Sequence, residues 1–469
     1  MPQQKTARFV TGATWRHVIV MTLTNSIGLM ALFVVDLIDL YFLNLLGEQE
    51  MAAAVGFAGL LLFFITAMSI GLLIAMGVLV SQRIGAGDTQ NARQIAASTY
   101  VIASLFAIAL STVLFLYVEP ILQLLGAKGR TLALATTYAE IVLPSSVILV
   151  LGMASSGILR AVGDARRAMN TTLIGAGVNL VFDPILIFGL SMGIAGAAWA
   201  SVLSRIAMMA YGFYGAIILH RMVAKPRFAD VRHDTRFIMH IAFPVILTNL
   251  ATPIGQSFVT MNMAKFGDAA MAAYATIGRI IPVAFSILFA LSGAIGPIIG
   301  QNFGAKQFDR VRETYRNAII FAILVVIGIS GVLFLLQKPL ISVFNLSDQA
   351  AELLTLFATY LALFFIFDGI LFSTNSAFNS LGYPLYSTLF NYAKFFLGII
   401  PMAWVLSHFY GAKGVLIGQS IGHLVIVILA LLVCRRLMLQ LDHIDPNNPN
   451  RRASARPPLW PGSSAKSQV

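Results

Sequence analysis

The feature that most limits what this chain can become is a series of long apolar runs divided by short polar breaks. Runs of about 20 residues, the length a helix needs to cross a bilayer, fall near 18–46, 53–80, 95–118, 132–159, 168–190 and 194–219. Six more fall near 237–264, 271–299, 315–336, 352–381, 386–408 and 412–433. An open segment in lipid satisfies its own backbone only as a helix. The expected fold is therefore an all-α membrane protein of twelve transmembrane helices. Composition agrees: 11% of residues are charged and mean hydropathy is +0.85, where a soluble domain carries about 25% charge.

The net charge of +12 would suggest nucleic acid in a soluble protein. Here the basic residues sit between the apolar runs, so they report topology rather than a partner. Arg83, Arg93, Arg160, Arg166, Arg167, the stretch 221–236, Lys306, Arg310, Arg312, Arg316, Arg435 and Arg436 all fall on one side. The other side carries GEQE at 47–50, Lys128, Arg130, the turn 189–193, Lys265, Lys338 and Lys413. Both termini are expected to be cytoplasmic, in an inner (cytoplasmic) membrane. The first apolar run is too long for a signal-peptide core and no small-residue cleavage site closes it, so it is read as a retained helix. A single cysteine, Cys434, excludes an intrachain disulfide. No P-loop pattern is present, which removes the simplest route to ATP-driven transport.

The two groups of six repeat each other. LVSQRIGAGDTQNAR (79–93) parallels IIGQNFGAKQFDRVR (298–312), with Gly85 and Gly304 standing 219 residues apart. LRAVGD (159–164) parallels FNSLGY (378–383) at the same offset, Met51 parallels Met271 at 220, and Gly193 parallels Gly411 at 218. A nearly constant offset through four landmarks indicates internal duplication. Because each half has an even number of helices, the repeats run the same way through the membrane, with a central cleft between them. The expected division is an N-terminal lobe (1–220), a basic cytoplasmic linker (221–236), a C-terminal lobe (237–440) and a disordered tail (441–469).

Carboxylates inside such runs need a reason, since an ionised aspartate at mid-membrane costs about 2.5–3.5 kcal/mol on insertion scales. ALFVVDLIDLYFL (31–43) holds Asp36 and Asp39, and NLVFDP (179–184) holds Asn179 and Asp183. Positions 179 and 183 are one turn apart and share a helical face. Pro184 has no N–H, which leaves the carbonyl of Leu180 as a further acceptor. Two carboxylates in low dielectric cannot both stay ionised, so the set suits a proton, or Na⁺ on oxygen ligands.

Taken together, Asp39 eight residues before Gly47, AAAVGF, VSQRIGAGD, NLVFDP, GIAGAAWASV and IGQNFGA resemble the multidrug and toxic compound extrusion (MATE) family over nearly all of 18–433. The resemblance implies a cation-coupled antiporter, not an enzyme, that exports lipophilic, often cationic compounds against H⁺ or Na⁺. It implies that Asp39, rather than Asp36, works with Asn179, Asp183 and a hydroxyl at Ser201, where threonine is more usual. It implies no cofactor, no certain metal beyond Na⁺ at Asp39, Asn179 and Asp183, and a monomer whose partners are a small-molecule substrate and membrane lipid, not nucleic acid. Asp368 matches an acid that another branch uses in the tenth helix, but the glutamate which that branch needs in the seventh is absent from FPVILTNLATPIGQSFV (243–259). Asp36, Asp368, Asn375 and Arg279 are therefore candidates for substrate contact or a second-lobe role, with Asn379 and Lys394 also at depth. Arg279 and Lys394 are both available as partners for Asp368. The family's first-helix proline is replaced here by Thr24.

Two other readings compete. A lipid-linked oligosaccharide flippase of related architecture would need a strongly basic cavity, to which Arg279 and Lys394 alone contribute. An intramembrane hydrolase is suggested by GLSMG (189–193), which fits G-x-S-x-G around Ser191. That motif has force on a strand–turn–helix, and here it falls in a short loop, with His408 and His423 in the other lobe.

Overall fold

The computed structural model describes residues 7–45 and 49–441. The tail beyond 441 and part of the loop at 47–50 lie outside the described residues. The first group of apolar runs forms α1 (Thr14–Leu45), α2 (Gln49–Gly85), α3 (Thr89–Leu116), a short α4 (Val118–Leu124), α5 (Gly129–Val142), α6 (Ser146–Ala161), α7 (Ala165–Pro184) and α8 (Gly193–Phe213). The second forms α9 (Phe228–Ala264), α10 (Asp268–Ala284), α11 (Ser286–Gly304), α12 (Phe308–Val343), α13 (Asp348–Thr359), α14 (Phe365–Leu381), α15 (Pro384–Ala393), α16 (Ile400–Ile421) and α17 (Leu424–Leu439). α9 starts inside the basic stretch 221–236.

Among the described residues, ten helical stretches are each long and apolar enough to span, and the bent pair α5–α6, at 53°, adds an eleventh. One of the ten is the 56-residue run Pro384–Leu439, about 84 Å if straight and far longer than a hydrocarbon core of about 30 Å. It folds back at Gly411, whose φ of 58° is left-handed backbone that favours glycine. The return is close: Gly414 lies on Leu406, Gly418 on Ala403 and Gly422 on Gly398. That gives twelve spans. Small residues let these backbones approach where hydrophobic burial offers no drive. The first half repeats the device, with Gly196 against the backbone of Leu186.

Several spans that read as unbroken in sequence are interrupted. Pro144 lacks the N–H that would continue α5 into α6 and breaks that span. The carbonyls at the break are pinned from neighbouring spans as well as by the turn itself, Val142 O by Arg205 Nη1 at 3.0 Å and Leu143 O by Ser111 Oγ at 2.6 Å. The eighth span breaks at Phe285 between α10 and α11, and the tenth at Tyr360, where a 3₁₀ turn (Leu361–Phe364) leads into α14. π-helical turns follow Pro184 (Ile185–Gly189), Phe213 (Tyr214–Leu219) and Ala393 (Lys394–Ile399). α1 is unbroken, and Thr24 Oγ1 donates to Val20 O at 2.6 Å.

The halves meet where α1 and α2 pack on α9 and α11. At the end of the molecule rich in arginine, the contact is two-fold. Gln82 Nε2 donates to Ser380 O at 2.6 Å, and Gln301 Nε2 to Ala161 O at 2.7 Å. Both donors and both acceptors are counterparts at the 219-residue offset of the duplication. The segment before α1 lies across this contact. Phe9 N donates to Gln301 Oε1 at 2.9 Å, Arg310 Nη2 donates to Phe9 O at 2.8 Å, and Arg8 Nη1 donates to Gly163 O at 2.8 Å.

Candidate functional site

The acids of the first half converge on one amide. Asn179 Nδ2, on α7, donates to both oxygens of Asp39 on α1 at 3.0 Å and to Asp183 Oδ2 at 2.8 Å. The geometry follows from local structure. One helical turn stacks Asn179 over Asp183, and close packing of α1 on α7 brings Asp39 across. Gly28 assists, with Thr172 and Met169 of α7 standing against its α-carbon.

Asp183 is fully buried, and its Oδ1 has no hydrogen-bond donor. The carboxyls of Asp39 and Asp183 are thus gathered on one amide nitrogen. Two carboxylates so close in low dielectric cannot both stay ionised. The arrangement can therefore hold one positive charge between two acids.

Ser201, on α8, reaches this cluster through another residue: its Oγ lies 3.3 Å from Tyr138 OH. Tyr138 on α5 is buried in the neighbourhood of Asp39, Asp183 and Arg205. Neither Tyr138 nor Arg205 was singled out from the sequence. Arg205 carried a readable signal, a basic residue inside an apolar run. Tyr138 carried none, since a tyrosine at helical spacing is ordinary packing. Asp36 is exposed on α1, one turn before Asp39.

In the second half, Asp368 pairs with Lys394 at 2.5 Å, whereas Arg279 is exposed on α10. Asn379 Oδ1 accepts from Ser387 Oγ at 3.0 Å, and Ser387 also donates to the carbonyl of Asn375 at 3.2 Å. Of the aromatic residues on the second and eighth spans, Phe63 and Phe64 are exposed, while Phe285 is buried and stacks on Phe365 at 4.2 Å. Ser191 sits in a turn with φ of 52°, far from any strand–turn–helix that would make it a nucleophile. Among the described residues no three His, Cys, Asp or Glu side chains group as a metal site.

A duplicated bundle of twelve helices, with paired acids held at depth between spans, defines a multi-pass membrane transporter rather than an enzyme. The MatE family model matches residues 26–185 and 244–405, two stretches whose starts lie 218 residues apart, in step with the internal repeat. The chain belongs to the MATE family. It is 28% identical over 423 residues to a FAD transporter of Shewanella oneidensis, covering 89% of this chain and 93% of that one. It is 22% identical over 437 residues to the multidrug export protein MepA of Staphylococcus aureus, covering 90% and 95%. A solved structure of the Vibrio cholerae MATE transporter VcmN superposes with a TM-score of 0.86 at 26% identity, covering 93% of this chain and 99% of that one.

Proposed function

We propose that this MATE-type efflux transporter is a secondary antiporter of the inner (cytoplasmic) membrane that exports lipophilic, often cationic compounds in exchange for H⁺ or Na⁺. The observation that carries the reading is the single Asn179 amide shared by carboxyls of two spans. Loading neutralises the Asp39–Asp183 pair, and release leaves two facing carboxylates that repel. The loaded and empty states therefore favour different packings of α1 against α7, the kind of bistable element that rocking between lobes requires. Asp39 and Asp183 hold the cation, Asn179 bridges them, and Ser201 with Tyr138 completes the polar shell.

Basic loops put both termini in the cytoplasm, with lobes at 1–220 and 237–440 joined by 221–236. Moving one charge inward supplies about 2.3 kcal/mol per 100 mV, roughly a fiftyfold gradient of substrate. The relatives named for multidrug export and FAD transport supply the cargo classes to test.

The test is efflux from proteoliposomes under imposed H⁺ and Na⁺ gradients applied separately, with a lipophilic cation and FAD as cargo. Asp39→Asn and Asp183→Asn abolish uphill efflux while equilibrium binding of cargo persists, because the amide keeps the shape of a protonated acid but cannot release a cation. Asp36→Asn is milder. Gradient-driven efflux by Asp39→Asn at the wild-type rate would overturn the assignment.

A further inference from the structure

The second half buries an acid of its own. Asp368 Oδ1 receives Lys394 Nζ at 2.5 Å, and Asp368 Oδ2 stands 3.5 Å from His423 Nε2. Their side chains are 13%, 11% and 3% exposed. Each comes from an irregular point in its span. Asp368 follows the 3₁₀ turn that starts α14, Lys394 opens the π-helical turn of the eleventh span, and His423 lies in the break between α16 and α17. Irregular backbone at membrane depth is tolerated where protein encloses it, and in transporters such breaks surround ion and substrate sites.

The groups around Asp368 leave little choice of partner. α11 and α12 bring Leu288 and Ala322 against the neighbouring Gly369. Phe395 lies beneath the ammonium, its ring centre 5.4 Å from Lys394 Nζ. Lys394 and His423 are the charged or titratable groups acting on Asp368 among the described residues. At the repeat offset of 219 the counterparts of Asp368 and Lys394 are Leu149 and Gly175, so the pair belongs to the second half alone. The two halves thus neutralise buried acid differently: two carboxyls and an amide in the first, one carboxyl and a tethered ammonium in the second.

We propose that Lys394 is the resident cation of the second half, filling the acid site at Asp368 and so closing it to H⁺, Na⁺ and organic cations. Lys394 is then a specificity-determining residue: it confines cation exchange to the Asp39–Asp183 pair. The inference rests on the antiport reading for what that exchange accomplishes, but its test does not depend on transport. An uncompensated buried carboxylate is strongly unfavourable, so Asp368 without Lys394 recruits the smallest cation available.

The test is proton uptake by the purified full-length protein between about pH 8 and pH 5, with and without Na⁺. Lys394→Met takes up about one more proton per molecule than wild type, and Na⁺ displaces it. Lys394→Arg behaves as wild type. The extra proton disappears in Asp368→Asn/Lys394→Met but persists in His423→Gln/Lys394→Met and in Asp39→Asn/Lys394→Met. If Lys394→Met matches the Asp368→Asn/Lys394→Met double variant, the proposal fails. It fails also if the extra proton vanishes with His423. An Asp39→Asn protein that still pumps would instead overturn the assignment of exchange to the Asp39–Asp183 pair, whereas these proton counts decide whether Lys394 fills the acid site at Asp368.

Discussion

Gly85 packs its α-carbon onto the backbone carbonyl of Gln301, and Gly304, its counterpart in the repeat, packs onto the carbonyl of Gln82. Neither position has room for a Cβ. The duplication noticed as a constant offset has become a physical two-fold contact that closes the arginine-rich end. Gly85→Ala should open this contact, since overpacking costs about 1–3 kcal/mol. A cysteine placed at buried Ala161 reports it, because the native Cys434 is buried and quiet. Labelling should quicken by roughly tenfold in Gly85→Ala and further in Gly85→Ala/Gly304→Ala. Unchanged labelling would show that the close approach does not hold this end shut.

Gln301 ties three segments together: its Nε2 donates to Ala161 O and its Oε1 accepts from Phe9 N. Removing a buried partner costs about 1–3 kcal/mol for each group left unsatisfied. Gln301→Ala should therefore lower the unfolding midpoint in detergent. Deleting residues 1–10 should shrink that effect, because it removes Phe9. A midpoint unchanged by Gln301→Ala would contradict the bridging role.

Asp164 caps α7, accepting from Arg167 N at 3.2 Å and pairing with Arg167 and His220. Burial alone would raise its carboxyl, but hydrogen bonds from His220 and Arg167 and the charge of Arg167 together hold it well below the usual carboxylate range. A lowered value means the native state binds fewer protons than the unfolded chain near that range. Asp164 contributes in full above about pH 4 and loses its contribution as pH falls through the lowered value. Asp164→Asn should lower the unfolding midpoint at pH 7. Its gap from wild type should narrow below about pH 4. A gap independent of pH would mean that the cap acts through shape rather than charge.

The sequence by itself determined what is local or repeated. Apolar runs specify spans because lipid leaves the backbone no alternative to helix, and the 219-residue offset specifies a duplicated architecture because similar segments fold in similar ways. The spacing of Asn179 and Asp183 placed both on one face of α7 before any tertiary information. Tertiary structure alone decided the rest. Asp39 lies 140 residues from Asn179, and only helix packing sets their side chains at 3.0 Å. Lys394 and Arg279 were equal candidates for Asp368, and the π-helical turn beneath Lys394 chose between them by aiming one ammonium inward. Tyr138 and Arg205 escaped notice because their roles arise where α5 breaks and α8 passes beside it. Interactions across spans depend on rotation and depth of each helix, quantities that packing sets and that no single run of residues encodes.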